Sequence, residues 1–234
     1  MSPVDDEDPF AHVAPTLDRL RAQRSETRVL RISRPRPTMA FSRRDEHAPG
    51  IARAAAVARR AGFSTAVRPV GGTFAPLHEG SLVVDEFGWS PSAQWPSERF
   101  DRHAALLADV FVSYGIDARI GEVPGEYCPG AHSVNRGGVV KLSGTAQRVA
   151  RGAWLVSSVV QVESVAALRE VTARVAAELD APVDVATIGA LSDTVAGVSV
   201  PEVAARIARR FRDDGIHEVS FIGIPEAPSP EIPS

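Results

Sequence analysis

The stretch from Gly125 to Val149 reads Gly-Glu-Tyr-Cys-Pro-Gly-Ala-His-Ser-Val-Asn-Arg-Gly-Gly-Val-Val-Lys-Leu-Ser-Gly-Thr-Ala-Gln-Arg-Val, and its reading decides the fold. It holds the only cysteine, Cys128, and a lone lysine, Lys141, thirteen positions later. Arginine supplies the other basic side chains, so a lysine between Val140 and Leu142, followed by Ser-Gly-Thr, stands out. The pattern predicts a loop through Cys128, a turn at Gly137 and Gly138, a short strand carrying Lys141, and then a second turn or strand. Such a layout aims a thiol and an amine at one site.

Working back from this stretch, residues 118–123 read as a strand. A helix over 97–114 repeats Phe100, Ala104, Leu107 and Phe111 at helical spacing, with Ser97 as cap and Gly115 as stop. Residues 81–87 and 63–70 read as strands, the latter entering a Gly71-Gly72 turn, and residues 50–60 form a helix ended by Gly62. Strands over 29–33 and 38–42 keep Pro35 and Pro37 in their connection, and 16–24 can form a short charged helix. Working forward, the Val-rich run 153–162 suits a buried strand. A helix opening at Ser164 places Leu168, Val171, Val175 and Leu179 on one side. Ser199 and Glu202 have capping-box spacing before a helix with Val203, Ile207 and Phe211 inward, and 217–222 closes the pattern as a strand. Strands and helices do not alternate strictly, which favours an α+β fold with a mixed β-sheet packed with helices over a doubly wound one. The expected organisation is a flexible acidic arm over 1–25, one catalytic domain over 26–224 and a mobile Pro-rich tail over 225–234.

With 234 residues, 44% of them hydrophobic, the chain can bury a sizeable core. No apolar run nears the roughly 20 residues of a membrane span, so no membrane partner is expected. The acidic start lacks the pattern of a secretory signal, and a single cysteine forms no internal disulfide, which together favour the cytoplasm. With a net charge of −3 and no basic patch interleaved with aromatics, nucleic acid is not an expected partner. There is no Gly-x-Gly-x-x-Gly, Walker loop or His-Glu-x-x-His, and the histidines lack metal-ligand spacing, so no metal is expected.

Each candidate side chain has two readings. Cys128 in Cys-Pro-Gly sits on a turn, as a nucleophile or as a buried inert thiol. Lys141 is an edge-strand charge facing water or an ammonium aimed into a cleft. The Gly71-Gly72 pair in Arg68-Pro-Val-Gly-Gly-Thr-Phe-Ala-Pro-Leu-His78 is a hairpin turn or a place where backbone approaches a ligand. His78 is a base, a ligand contact or a solvent-facing turn residue.

Together these segments resemble the catalytic domain shared by lipoate–protein ligases, biotin ligases and octanoyl/lipoyl transferases. Arg68, Gly71, Gly72 and His78 stand where that family has its Arg-x-x-Gly-Gly segment and following histidine. Lys141, Gly144, Ala146 and Gln147 reproduce its Lys-x-x-Gly-x-Ala-Gln pattern. The resemblance covers roughly residues 28–165. Tyr127-Cys128-Pro129-Gly130 is similar to the cysteine-dependent amidotransferases, where ATP-dependent ligases usually have Arg-x-Asn-Asp. The resemblance implies transfer of an octanoyl or lipoyl group through a Cys128 thioester to a lysine of a lipoyl-domain protein, with no cofactor required. Lys141 and backbone near Gly144 and Thr145 would steady the oxyanion, and an apolar tunnel beside Gly71 and Gly72 would hold the acyl tail. Thr73-Phe74-Ala75-Pro76 departs from the family's Gly-rich continuation. The alternatives are an ATP-dependent lipoate–protein ligase and a non-catalytic binder of acyl chains or lipoyl domains.

Overall fold

The apolar periodicities resolve into helices and strands whose two cores meet at the Cys128 loop. The computed structural model describes residues 8–91 and 96–225. In chain order the elements are α1 (Val13–Gln23), β1 (Val29–Ser33), β2 (Thr38–Phe41), α2 (Ile51–Arg60), β3 (Ser64–Val67), β4 (Ala75–Leu77) and β5 (Ser81–Trp89). They continue with α3 (Pro96–Val112), β6 (Ala118–Ile120), β7 (Val134–Arg136), β8 (Val140–Ala150), β9 (Ala153–Gln161), α4 (Ala166–Glu178), α5 (Val200–Asp213) and β10 (Glu218–Ile222).

The large sheet has seven strands in the order β10-β1-β5-β9-β8-β7-β6, and β1 pairs in parallel only with β10. A small sheet, β3-β2-β4, sets β2 parallel to β3 and antiparallel to β4. The sheets are mixed and packed with helices, as the sequence implied. Alternate residues of β5 face opposite ways, the period of a strand. Leu82 and Val84 join Leu107, Phe111, Ile207 and Phe211 of α3 and α5 in one core. Val83 instead packs with Ala40 and Leu77, and Phe87 packs with α1. A second core joins the small sheet to α2 and α4 through Met39, Phe41, Val57, Phe63, Leu168 and Val171. No helix among the described residues is long and apolar enough to cross a membrane.

Several local expectations are corrected. The segment expected as a flexible arm carries an ordered helix from Val13, three residues before the anticipated start, because Val13, Leu17 and Leu20 bury against Phe87 and Leu155. Residues 1–7 of that arm and 226–234 of the expected tail lie outside the described residues. A strand not foreseen, β4, contains Pro76; as the sheet's edge it tolerates a residue without an N–H. The strand carrying Lys141 runs eleven residues instead of stopping at a turn, since Gly144 to Ala150 pair with β9. The Ser199 capping box does not form: Glu202 turns to Arg206 instead of back to Ser199, and the helix start is met from elsewhere, with Glu163 Oε1 accepting the Val200 N–H at 3.1 Å.

The face of β5 that bears Leu82 and Val84 also carries a fully buried carboxylate, Glu86. It accepts from the His103 ring at 3.0 Å, from Arg102, and from Arg28 at 3.4 Å; Arg102 and Arg28 also share Asp214. Removing it leaves the fully buried His103 ring without its acceptor and takes one of two carboxylates from Arg28 and Arg102. Glu86→Ala is therefore expected to lower unfolding stability by about 3–5 kcal/mol in urea titrations, the range for breaking a buried pair. Arg53→Ala, which opens only the exposed Arg53–Glu178 pair, should lose less than about 1 kcal/mol. Equal losses for the two would show that the Glu86 cluster contributes nothing special.

Candidate active site

The site is built on a hairpin. Gly137 and Gly138 have φ of +63° and +80°, the left-handed pair that a tight turn between β7 and β8 demands. Lys141 follows at the start of β8, and its side chain is 1% exposed. Its Nζ donates to the carbonyl oxygens of Tyr127 and Cys128, each at 2.9 Å, and meets Glu126 Oε2 at 2.9 Å. An ammonium has three hydrogens, so every donor is occupied. The Tyr127 ring adds its face, 4.5 Å from Nζ. Gly144 keeps the path clear, since a Cβ there would lie 2.8 Å from Lys141 Cε.

Glu126 closes the loop on itself. Its carboxylate also accepts from the Ser133 hydroxyl at 2.9 and 3.1 Å and from the Gly130 N–H at 3.2 Å. Burial pulls the Lys141 ammonium below the usual lysine range, and the Glu126 carboxylate opposes that shift. Burial likewise pushes the Tyr127 phenol up.

Cys128 has φ +45°, a left-handed conformation unusual for a side chain with a Cβ. Lys141 clamps the carbonyls on both sides of it, which holds the strained residue in place. The half-buried thiol accepts the Thr73 N–H at 3.2 Å. Gly72, at φ +93°, leaves room for the sulfur: a Cβ there would fall 2.5 Å from Sγ and 3.0 Å from Arg68 Nη2. Arg68 is buried and donates to the Gly71 carbonyl. The Gly71 N–H reaches the Gln147 carbonyl at 3.4 Å. That contact is possible because β7 pairs with β8 only as far as Ser143, leaving the next residues of β8 to meet the Gly-Gly loop.

Arg68, Cys128, Lys141, Gly144, Thr145 and Ala146 thus line one small cavity, together with Tyr127 and Ala75. The Thr145 hydroxyl is tied to Ser158 at 2.7 Å. Gly71, Gly72 and Gln147 line an adjoining open cleft that Arg68 shares. His78 lines neither; it sits in the β4–β5 turn, where its Nδ1 accepts the Gly80 N–H at 3.4 Å and burial lowers its basicity. The apolar tunnel expected beside Gly71 and Gly72 is not formed among the described residues: the two glycines line the open, arginine-bearing cleft, and the space at Cys128 is small. The inner cavity holds about 30 Å³, against roughly 300 Å³ or more for an ordinary small-ligand pocket. Sequence reasoning missed Glu126 and Thr73. The signal for Glu126 was the lone lysine itself, since a buried ammonium needs a counter-ion.

The arrangement offers a thiol on a fixed loop, a backbone donor at the sulfur, and a lysine that acts as a clamp. Lys141→Met is expected to destabilise the chain by about 3–5 kcal/mol by leaving Glu126 buried and unpaired. Adding Glu126→Gln should recover much of that loss. A double variant no more stable than Lys141→Met alone, in urea unfolding, would refute the pairing. Gly72→Ala should slow alkylation of Cys128 by iodoacetamide by about tenfold or more, since backbone at positive φ and the sulfur both resist a Cβ. An unchanged rate would mean that the loop yields freely.

No family model and no curated protein matches the chain. Solved structures do. Lipoate-protein ligase A bound with ATP aligns with a TM-score of 0.65 at 19% identity, covering 90% of this chain and 81% of that one. A putative lipoate protein ligase from T. acidophilum with bound lipoic acid gives 0.64 at 20% identity, over 90% and 83% of the two chains. A bi-partite lipoate protein ligase from the same organism, described with its E2 lipoyl domain, gives 0.61 at 18%, over 93% and 82%. The α+β architecture built around Cys128 and Lys141 is that of the lipoate–protein ligase catalytic domain.

Proposed function

We propose that this chain transfers an octanoyl or lipoyl group to a lysine of a lipoyl-domain protein by way of a thioester at Cys128. The observation that carries the reading is the sulfur held by the clamped loop, with the Thr73 N–H pointed at it and Gly72 making room. The thiolate attacks the carbonyl carbon of the donor's acyl-lysine amide. The C–N bond breaks, the departing lysine amine takes up the proton that the thiol released, and the acyl group stays on sulfur. The acceptor lysine's neutral amine then attacks the thioester, loses a proton, and returns the thiolate.

Lys141 has no donor left for the oxyanion in this arrangement. Stabilising that charge therefore falls to backbone N–H groups, with Thr73 and the Gly144–Thr145 segment of β8 placed around the sulfur. Lys141 serves as a positioning residue for the nucleophile.

A second reading is favoured by the likeness to an ATP-bound ligase: activation of free lipoate or octanoate as an adenylate. The two separate cleanly. Incubated with an octanoylated donor domain, the wild type should gain the mass of one octanoyl group at Cys128. Cys128→Ser should lose transfer by about a thousandfold or more, as nucleophile removal does elsewhere. Pyrophosphate release from ATP with free acid, undiminished in Cys128→Ser, would replace the thioester route with the ligase.

A further inference from the structure

The nucleophile loop borders a second, open space that the chemistry above does not use. A cleft of about 560 Å³ is lined by Arg43, Arg44, Arg68, Arg148, Gly71 and Gly72, among others. It reaches the thiol through a single glycine, because a Cβ on Gly72 would lie 2.5 Å from Sγ. Among the described residues four arginines line it and no aspartate or glutamate does, on a chain whose net charge is −3. That local excess runs against the overall balance.

The cations are also available. Many surface arginines here close on a carboxylate, as Arg21 does with Asp18, Arg119 with Asp117 and Arg210 with Asp109. Arg43 and Arg44 are exposed and form no ion pair or side-chain hydrogen bond among the described residues. Their neighbour Asp45 is turned inward, where it accepts the Ser42 N–H at 2.7 Å. Arg148 is exposed and makes one contact, to the Pro69 carbonyl at 3.2 Å. Burial of Asp45 thus leaves the rim positive.

The apolar part of the rim indicates which kind of anion fits. Val149, 38% exposed, lines the cleft, and Val67, 41% exposed, lies with Arg43 and Arg148 in an adjoining depression that also holds Asp8 and the Arg21–Asp18 pair. Among the described residues no aromatic ring lines the cleft to stack a nucleotide base. Exposed valines among free guanidinium groups suit a protein surface, with apolar contact at the centre and charge at the edge.

We infer that the cleft of Arg43, Arg44 and Arg148 is the docking surface for an acidic face of the acyl-carrier domain, seating it so that its acyl-lysine reaches Cys128 past Gly72. The inference rests on the proposed function for the identity of the partner, and its test is arranged to stand apart from the chemistry.

The probe is a purified, fluorescently labelled lipoyl domain with acidic residues flanking its lysine, titrated with full-length protein and followed by anisotropy. Wild-type affinity should fall as NaCl rises from about 50 to about 300 mM, the range over which exposed charges become screened. The double variant Arg43→Glu/Arg44→Glu, and separately Arg148→Glu, should bind at least about tenfold more weakly and with a flatter salt dependence. Both variants should still acylate Cys128 from a small soluble octanoyl thioester, releasing the small thiol at a rate within about twofold of wild type, since only docking is altered.

Unchanged affinity in the variants, or no binding of the domain by wild type, overturns the proposal. So does a parallel loss of the small-thioester reaction, which would mean a distorted site. Displacement of the domain by ATP, with ATP binding lost in the same variants, would make the cleft a nucleotide site instead. If Cys128 accepts no acyl group from any donor but charge reversal still abolishes domain binding, the docking surface survives and the thioester route falls.

Discussion

One buried ammonium group holds the site together. Lys141 is placed by β8 in a dry environment, where an unpaired charge would cost far more than the fold can spare. Its three hydrogens meet one carboxylate oxygen and two consecutive carbonyls. Those acceptors are all on the 126–128 segment, so satisfying the charge and shaping the loop are a single event. The same geometry accounts for a lysine in a chain that otherwise uses arginine. Three acceptors around one point suit a compact ammonium, whereas a planar guanidinium directs its donors outward in a fork.

From that clamp the rest of the site follows in sequence. The fixed carbonyls set the left-handed Cys128, the left-handed residue aims the sulfur at the Gly71–Thr73 loop, and the loop needs Gly72 to leave space for it. The loop is joined in turn to β8 by the Gly71–Gln147 contact, which brings the chain back to the strand bearing Lys141. The circuit closes through backbone atoms at nearly every step. Its precision depends on few side chains: Lys141, Glu126 and Arg68.

Much of this was legible in the residues. The Gly137-Gly138 turn, the Lys141 strand and the long helices with apolar stripes are local patterns, and they appear where periodicity and turn chemistry place them. The convergence of Cys128 and Lys141 was legible because both stand out against the composition. What escaped was non-local. Glu126 reads in sequence as one more surface acid, and only the arrival of β8 makes it a counter-ion. The failed capping box has a similar cause, since its two side chains find no use for each other: Glu202 turns to Arg206 and Tyr114, and Glu163, far back along the chain, accepts the first helical N–H at Val200. The helix α1 started early because three apolar residues found a sheet to cover, which no window of its own sequence contains. His78 matched a pattern by position, yet the β4–β5 turn directs it away from both cavities.

The small inner cavity fits this reading of the architecture. Its walls come from different bodies: Ala75 from the small sheet, Ala146, Ser157 and Val159 from the large one, and Tyr127 and Cys128 from the loop between. The cavity therefore lies on a seam, and its walls mix small side chains, Ala75, Ala146, Ser157 and Val159, with the large ones of Arg68, Tyr127 and Lys141. None of the large core aromatics, Phe111 and Phe211 in one core and Phe41, Phe63 and Phe74 in the other, is among its lining residues. The Lys141 clamp spans that seam, because its stem belongs to the large sheet while Tyr127, whose carbonyl it holds, packs in the small-sheet core. A clamp across the seam therefore ties the Cys128 loop, and with it the position of the sulfur, to β8 and to the small-sheet core at once.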